Sequence, residues 1–156
     1  MSGVSWSDFA AAEPELAEQG RALIYRRGDG EGLLVTVAGA DGLPRVHPIN
    51  VGVVDGRLAA FIQDKSAKAK DLAADGRYAL HAVYDPEAPH EFLVRGRAQL
   101  VTDPELRAAM AKDWFFTVSD AYPLYELQVE HVVFGERPTA DDWPPQYRFW
   151  RAQVRG

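Results

Sequence analysis

A small antiparallel β-barrel with peripheral helices is the fold class this sequence predicts, and three observations predict it. From about residue 31 to residue 135 the chain reads as six short runs of strand-forming residues parted by tight-turn signals. Only one short helix stands between the third and fourth runs, whereas a doubly wound sheet needs a helix after nearly every strand. Closing six or seven such strands into a barrel removes the exposed edges they would otherwise leave.

Each element has a local cause. Ser5-Trp6-Ser7-Asp8 sets a capping hydroxyl three residues before an acid, a helix start that would turn Phe9 and Ala12 inward. Pro14 suits the first position of a second helix, with a stripe of Leu16, Leu23 and Ile24, which Gly28-Asp29-Gly30 stops. Leu33 to Val37 is the first strand, ending in the turn signal Gly39-Ala40-Asp41-Gly42. The second runs from Arg45 to Val54 and ends at Asp55-Gly56, the strongest short hairpin signal in the chain. Leu58 to Ile62 completes a three-stranded meander. Asp64 to Ala74, polar and alanine-rich, is the interrupting helix, closed near Gly76. Tyr78 to Tyr84 and Glu91 to Val101 are the next strands, parted by Asp85-Pro86-Glu87-Ala88-Pro89. Asp103-Pro104-Glu105 opens another helix, with Asp at the cap and Pro in its first turn. Tyr125 to Phe134 alternates around Leu127, Val129 and Val132 as a sixth strand, and Arg148 to Val154 is a short last one.

One continuous composition over 156 residues predicts a single domain: N-terminal helices 5–27, barrel about 31–135 and C-terminal tail 136–156. A net charge of -6 argues against a general nucleic-acid binder. The lack of cysteine excludes disulfides, thiolate metal sites and cysteine nucleophiles. The first eight residues have neither a basic nor an apolar leader region, and no apolar run is long enough to span a bilayer. The expected location is the cytoplasm.

Chemistry concentrates in Gln63-Asp64-Lys65-Ser66-Ala67-Lys68-Ala69-Lys70-Asp71. Three lysines stand in or just before the first turns of the short helix, with Asp71 and Asp75 further along. The helix dipole disfavours that order by a few tenths to about 1 kcal/mol per cation. A bound anion reverses the sign, because free N–H groups, a Ser hydroxyl and a Lys ammonium together make a phosphate cradle. The same residues also fit a solvated, lysine-rich helix capped by Asp64 or Ser66, and a Ser-x-Lys triplet arises about once by chance at this length. Arg45, after the Gly42-Leu43-Pro44 turn, is either a turn-flanking surface residue or a second cation for the same anion.

In order and spacing, several stretches resemble the pyridoxamine 5'-phosphate oxidase-like family of flavin-binding split β-barrels. They are Gly42-Leu43-Pro44-Arg45-Val46-His47-Pro48, Asp55-Gly56-Arg57-Leu58, Ser66-Ala67-Lys68-Ala69-Lys70-Asp71-Leu72, Asp75-Gly76-Arg77-Tyr78-Ala79-Leu80-His81 and Glu91-Phe92-Leu93-Val94-Arg95-Gly96-Arg97-Ala98. The resemblance covers nearly the whole chain, from the Trp6 helix to the Trp150-Arg151-Ala152 ending. It implies a six- to seven-stranded antiparallel split β-barrel, mainly β, that forms a homodimer. FMN, or a related deazaflavin coenzyme, would lie in grooves at the dimer interface. By position Arg45, Ser66 and Lys68 would hold the phosphate, with Lys70 beside them, while Val46, His47, Pro48, Ile62 and Gln63 would border the ring system. Trp150 and Arg151 would close the groove from the partner subunit.

Two departures narrow the implied activity. The oxidases carry a basic residue on the second strand for the substrate's own phosphate, where Asn50 stands here. They end in an Arg-Leu-His-type signature, where this chain has Phe149-Trp150-Arg151-Ala152. Asn50 becomes the substrate-side candidate, and a general flavin-dependent oxidoreductase acting on a small molecule is expected rather than a vitamin B6 oxidase. Two alternatives share the barrel. One is a deazaflavin-dependent reductase, with Lys65, Lys70 and Arg95 as extra cations for its acidic coenzyme. The other is a non-enzymatic flavin- or heme-binding sensor or carrier.

Other residues read more plainly. The spacings of His47, His81, His90 and His131 fit no metal-binding pattern. His81, between Leu80 and Ala82, reads as a core or interface histidine, and His47 serves equally as a proton donor at the flavin edge or as a wall. The acidic stretches 13–18 and 136–142 read as solvated surface, and Trp114-Phe115-Phe116 as core or dimer contact. No hydrolase motif accompanies Ser66, and no catalytic residue is assigned.

Overall fold

The computed structural model describes residues 3–37 and 41–153. Ser5 caps α1 (Trp6–Ala12) by accepting the Asp8 N–H at 3.1 Å, and Pro14 opens α2 (Pro14–Ile24). Trp6 and Phe9 turn inward, but Ala12 is exposed: it ends the short α1, at the corner where the chain turns into α2.

Nine antiparallel strands follow among the described residues. They are β1 (Glu31–Val37), β2 (Pro44–Asn50), β3 (Gly52–Val54), β4 (Arg57–Phe61), β5 (Arg77–Ala82), β6 (Glu91–Leu100), β7 (Leu124–Leu127), β8 (His131–Glu136) and β9 (Gln146–Arg151). α3 (Ala67–Ala74) lies between β4 and β5, and α4 (Pro104–Ala111) between β6 and β7. The strand path is β2-β1-β5-β6-β7-β4-β3, with β8 added on β6 and β9 on β8.

All seven expected strand runs are present, but two are broken, each by a close approach of distant backbone. The run from Arg45 to Val54 breaks at Val51, so β2 pairs with β1 while β3 pairs with β4. The buried Val51 donates its N–H to the Gly30 carbonyl at 3.1 Å. A Cβ on Gly30 would lie 1.9 Å from the Val51 oxygen, which is why glycine stands there. The expected meander is corrected accordingly: the run neighbours both flanking strands, but through different halves. Since β2 and β3 occupy opposite ends of the strand path, one piece of chain joins the two ends and curls the sheet into a split barrel.

The run from Tyr125 to Phe134 parts at 128–130. β7 takes the C-terminal end of β6, and β8 its N-terminal half. Gly96 permits this crossing, since a Cβ there would lie 1.9 Å from the Gln128 oxygen. Val129 bridges to Val4 instead. At the β3–β4 hairpin Asp55 and Gly56 take φ of 50° and 71°, the left-handed pair that a tight two-residue turn requires. Of the first hairpin turn, Gly39 and Ala40 lie outside the described residues, as does Val154 of the expected last strand. The short helix begins at Ala67 rather than Asp64 because Ser66 is its cap.

Leu34, Leu58, Ile62, Leu80, Phe92, Val94, Leu127 and Val132 fill the interior, with Trp6, Phe9, Leu16 and Ile24 laid over them by the first two helices. Each large side chain buried this way stabilises the fold by roughly 1.5–3 kcal/mol. A smaller cluster of Phe61, Met110, Trp114 and Leu124 packs beside it, Trp114 edge-on to Phe61 at 5.0 Å. On the opposite face of the sheet Pro48, Leu33, His81, Leu93, Val133 and Phe149 stand in one register row across six strands. Leu33 is 37% exposed and Phe149 64%.

Candidate functional site

The turn into α3 is built by Ser66. Its Oγ accepts the Ala69 N–H at 3.2 Å and donates to the Gln63 carbonyl at 2.7 Å. Its amide also reaches the Gln63 carbonyl, at 3.1 Å. Ser66 therefore shapes the turn with both of its own donors engaged. The N–H groups of Ala67 and Lys68 have no acceptor among the described residues. Orphan amides at a helix start carry positive potential outward.

One turn further on, Asp71 is buried beneath this opening, with Ala69 and Leu72 as its buried neighbours on the helix. It accepts the Thr36 hydroxyl at 2.8 Å and lies 3.1 Å from Arg45 Nε. Thr36 Oγ1 is also 3.1 Å from His47 Nε2. The hydroxyl has a single proton, and that proton goes to Asp71, so the imidazole donates Nε2–H to Thr36. A neutral His47 then has its lone pair on Nδ1. Burial, Lys68 and Arg45 lower the His47 pKa while Asp71 opposes them, so the ring is neutral at physiological pH.

Arg45 meets Asp71 through Nε, and its side chain is half-exposed, which leaves the outer guanidinium edge open to a ligand. Arg45 and Lys68 together outweigh the one negative charge of Asp71. Two amides, an ammonium and a guanidinium edge form a donor-only set, the chemistry a phosphate demands. The residues present therefore fit the phosphate end of a flavin nucleotide.

The other expected residues are placed as follows. Val46 and Pro48 are exposed on β2, and His47 sits between them turned toward Thr36. The Ile62 side chain is in the core, so only its backbone can border a ligand, and Gln63 is exposed with its carbonyl used by Ser66. Lys70 is exposed on α3. Asn50, at the far end of β2 from Arg45, donates to the Gly30 carbonyl at 3.1 Å. It borders a cleft of about 400 Å³ with Arg27, Leu33, Pro48 and Ile49. Trp150 packs on Phe9 at 5.0 Å and, within one chain, is not brought to Arg45 and Lys68. Of the residues in reserve, His90 accepts the Arg137 N–H at 2.9 Å.

Thr36 and the inward role of Asp71 escape a reading from sequence. The available signal was a threonine on the buried face of an otherwise apolar strand, in phase with Leu34.

No curated protein sequence matches the chain. Among solved structures, a heme-binding protein from Mycobacterium smegmatis aligns over 87% of this chain with 21% identity and a TM-score of 0.65. The chain spans 58% of that protein. The heme storage protein HutZ from Vibrio cholerae aligns over 76% of this chain and 89% of its own, with 19% identity and a TM-score of 0.57. General Stress Protein 26 from Bacillus anthracis aligns over 86% of this chain and 97% of its own, with 17% identity and a TM-score of 0.61. At these identities the likeness establishes the split-barrel fold. The family model for pyridoxamine 5'-phosphate oxidase matches residues 28–135, more than half of the chain and the whole span from β1 to β8 apart from the last residue of β8. With the fold and the family match in agreement, the chain belongs to the pyridoxamine 5'-phosphate oxidase family.

Proposed function

We propose that this chain is an FMN-binding oxidoreductase that works as a homodimer and passes hydride or electrons between the flavin and a small molecule. What supports the reading is the free Ala67 and Lys68 amides at the start of α3, with Lys68 and Arg45 both near enough to act on His47, in a chain of this family. When bound, the flavin supplies the redox chemistry, and the protein supplies binding, orientation and a dry environment. Lys68 and Arg45 neutralise the phosphate, and Asp71 fixes the direction of Arg45. Thr36 holds His47 with Nδ1 free of a proton, so that the ring can accept one there. The cleft beside Asn50 takes the small molecule. Among the described residues the cleft's one cation, Arg27, is offset by Glu31 at 3.6 Å, so its lining carries no net positive charge to favour a phosphorylated substrate. That supports an activity other than vitamin B6 oxidation. The row from Pro48 to Phe149, apolar but for His81, supports the dimer, because a sheet face of this kind is covered in a stable assembly.

The test is the absorbance spectrum of the protein as purified, followed by fluorescence titration with FMN, riboflavin and the deazaflavin coenzyme. Failure to retain or bind either phosphorylated coenzyme rejects the reading, and a clear preference for the deazaflavin moves the chain to that class of reductase. A second reading, a heme or flavin carrier, is favoured by the two heme-handling proteins among the structural neighbours. Bound FMN that no nicotinamide or deazaflavin donor reduces, or heme binding in place of flavin, selects it.

A further inference from the structure

Three charged side chains act on the ring of His47. Lys68 and Asp71 reach it from α3, and Arg45 shares its face of β2, since alternate residues of a strand point the same way. On β1 its register partner Leu34 adds no charge. The other β1 neighbour is Thr36, also uncharged, with Oγ1 3.1 Å from His47 Nε2 and its own proton passed to Asp71 at 2.8 Å.

These groups pull in opposite directions. Along the chain from Nε2 through Thr36, the Asp71 carboxylate favours an imidazolium, because each hydrogen bond polarises the next. Burial, Lys68 and Arg45 act against it and hold the ring's pKa below the ordinary 6.5. Nε2 is committed to Thr36, so Nδ1, which has no partner among the described residues, is the nitrogen left to take a proton. The two opposing cations are the same two that face a phosphate at the start of α3. An anion there neutralises Lys68 and Arg45, adds an attraction of its own and leaves Asp71 in place.

We infer that a phosphate held by Lys68, Arg45 and the amides of Ala67 and Lys68 draws one proton from solvent onto His47 Nδ1, so that cofactor binding and proton uptake are a single coupled event. This rests on the phosphate site of the flavin reading and adds a regulation to it. By reciprocity, a proton on His47 tightens the anion by the same factor by which the anion favours the proton. Binding therefore strengthens as pH falls through the interval between the free and the occupied pKa values. A phosphate ester has a second pKa of about 6, and cations favour its dianion, which works in the opposite sense. Sulfate, whose charge does not change in this range, isolates the histidine.

The experiment follows the His47 ring resonances of the whole chain by NMR from about pH 5 to 8. Separate arms contain chloride alone, saturating sulfate, FMN and riboflavin, all at one ionic strength. In chloride the midpoint lies below the ordinary 6.5. Sulfate and FMN each raise it by about one unit or more, as an opposite charge within about 4–6 Å does. Riboflavin, which has no phosphate, leaves it near the chloride value. A one-unit rise makes sulfate bind about ten-fold tighter at the acid end of the interval than at the alkaline end. H47Q abolishes that ratio, and K68A raises the chloride midpoint and shrinks the effect of sulfate.

A midpoint that saturating sulfate and bound FMN leave unmoved overturns the coupling, while FMN binding itself keeps the flavin reading intact. So does a ratio that persists in H47Q, or riboflavin moving the midpoint as far as FMN does. A midpoint raised by sulfate in a protein that binds no FMN removes the flavin reading and keeps the coupling to an anion. If neither sulfate nor FMN binds, both fall.

Discussion

Thr36 and Asp71 share a 2.8 Å hydrogen bond in the interior, one from the C-terminal end of β1 and the other from the buried side of α3. This bond sets the ligand end of the molecule, because Asp71 aims Arg45 and Thr36 aims His47. T36V leaves a buried carboxylate short of a donor, and D71A leaves a buried hydroxyl without its acceptor. Each should lower stability by about 1–3 kcal/mol, measured by urea unfolding. A loss below about 0.5 kcal/mol, the range of neutral surface changes, would show that the bond carries little.

Lys68 separates phosphate recognition from ring recognition. K68A should weaken FMN by roughly 1.5–3 kcal/mol, the worth of a charge-assisted contact, and leave riboflavin nearly unchanged. Titration of both ligands by flavin fluorescence decides it. Equal weakening would remove Lys68 from the phosphate.

The two shifted histidines give a pH dependence with a definite sign. The folded-state pKa values of His47 and His131 both lie below the ordinary 6.5, burial being the first cause in each. Between the folded values and 6.5 the unfolded chain binds more protons, so stability rises with pH through that window and levels above it. Acidification through the folded pKa values removes the contribution. Asp75, held down to about 2 by Arg77, acts in the same direction at lower pH: its share is present above the ordinary 3.8 and is lost as pH falls toward 2. Urea midpoints from about pH 5 to 8 in a phosphate-free buffer should climb and then flatten. The double variant H47Q/H131Q should flatten the climb, and a protein that gains stability on acidification would contradict the assignment.

Gly30 is the seam of the barrel. G30A drives a methyl group against the Val51 carbonyl, backbone that cannot turn aside. A loss of about 1–3 kcal/mol is expected, as for an overpacked core, whereas G42A, whose added carbon meets nothing, pays only for its positive φ of 67°. Thermal unfolding of the two side by side tests the distinction. Equal losses would place the cost in backbone conformation rather than at the seam.

Seven strand runs, both N-terminal helices and the helix at Pro104 are legible in the sequence because periodicity and turn chemistry act locally. Asp55-Gly56 announces its hairpin, and Ser5 and Asp103 announce their helices. The breaks at Val51 and at 128–130 are not legible. Each is imposed by a glycine far away in the chain, Gly30 and Gly96, whose neighbours only the fold reveals. The same holds for individual side chains. Lys68 and Arg45 can be nominated from charge and strand order, but Asp71 looks like one more solvated helix acid until Thr36 is placed against it. His131 reads as unremarkable sheet surface, and only register puts it between two arginines.

The Val51 junction has a consequence in time as well as in shape. β1 with β2 and β3 with β4 are both local hairpins, Val37 opposite Pro44 and Val54 opposite Arg57, so each can zip on the microsecond scale without the rest of the chain. The pairings of β1 with β5 and of β4 with β7 join residues far apart in sequence, and their loops are slow to close. Folding should therefore start as two small ribbons hinged at one residue. The rate-limiting event becomes the arrival of β7 on β4, when the hinge ceases to be one.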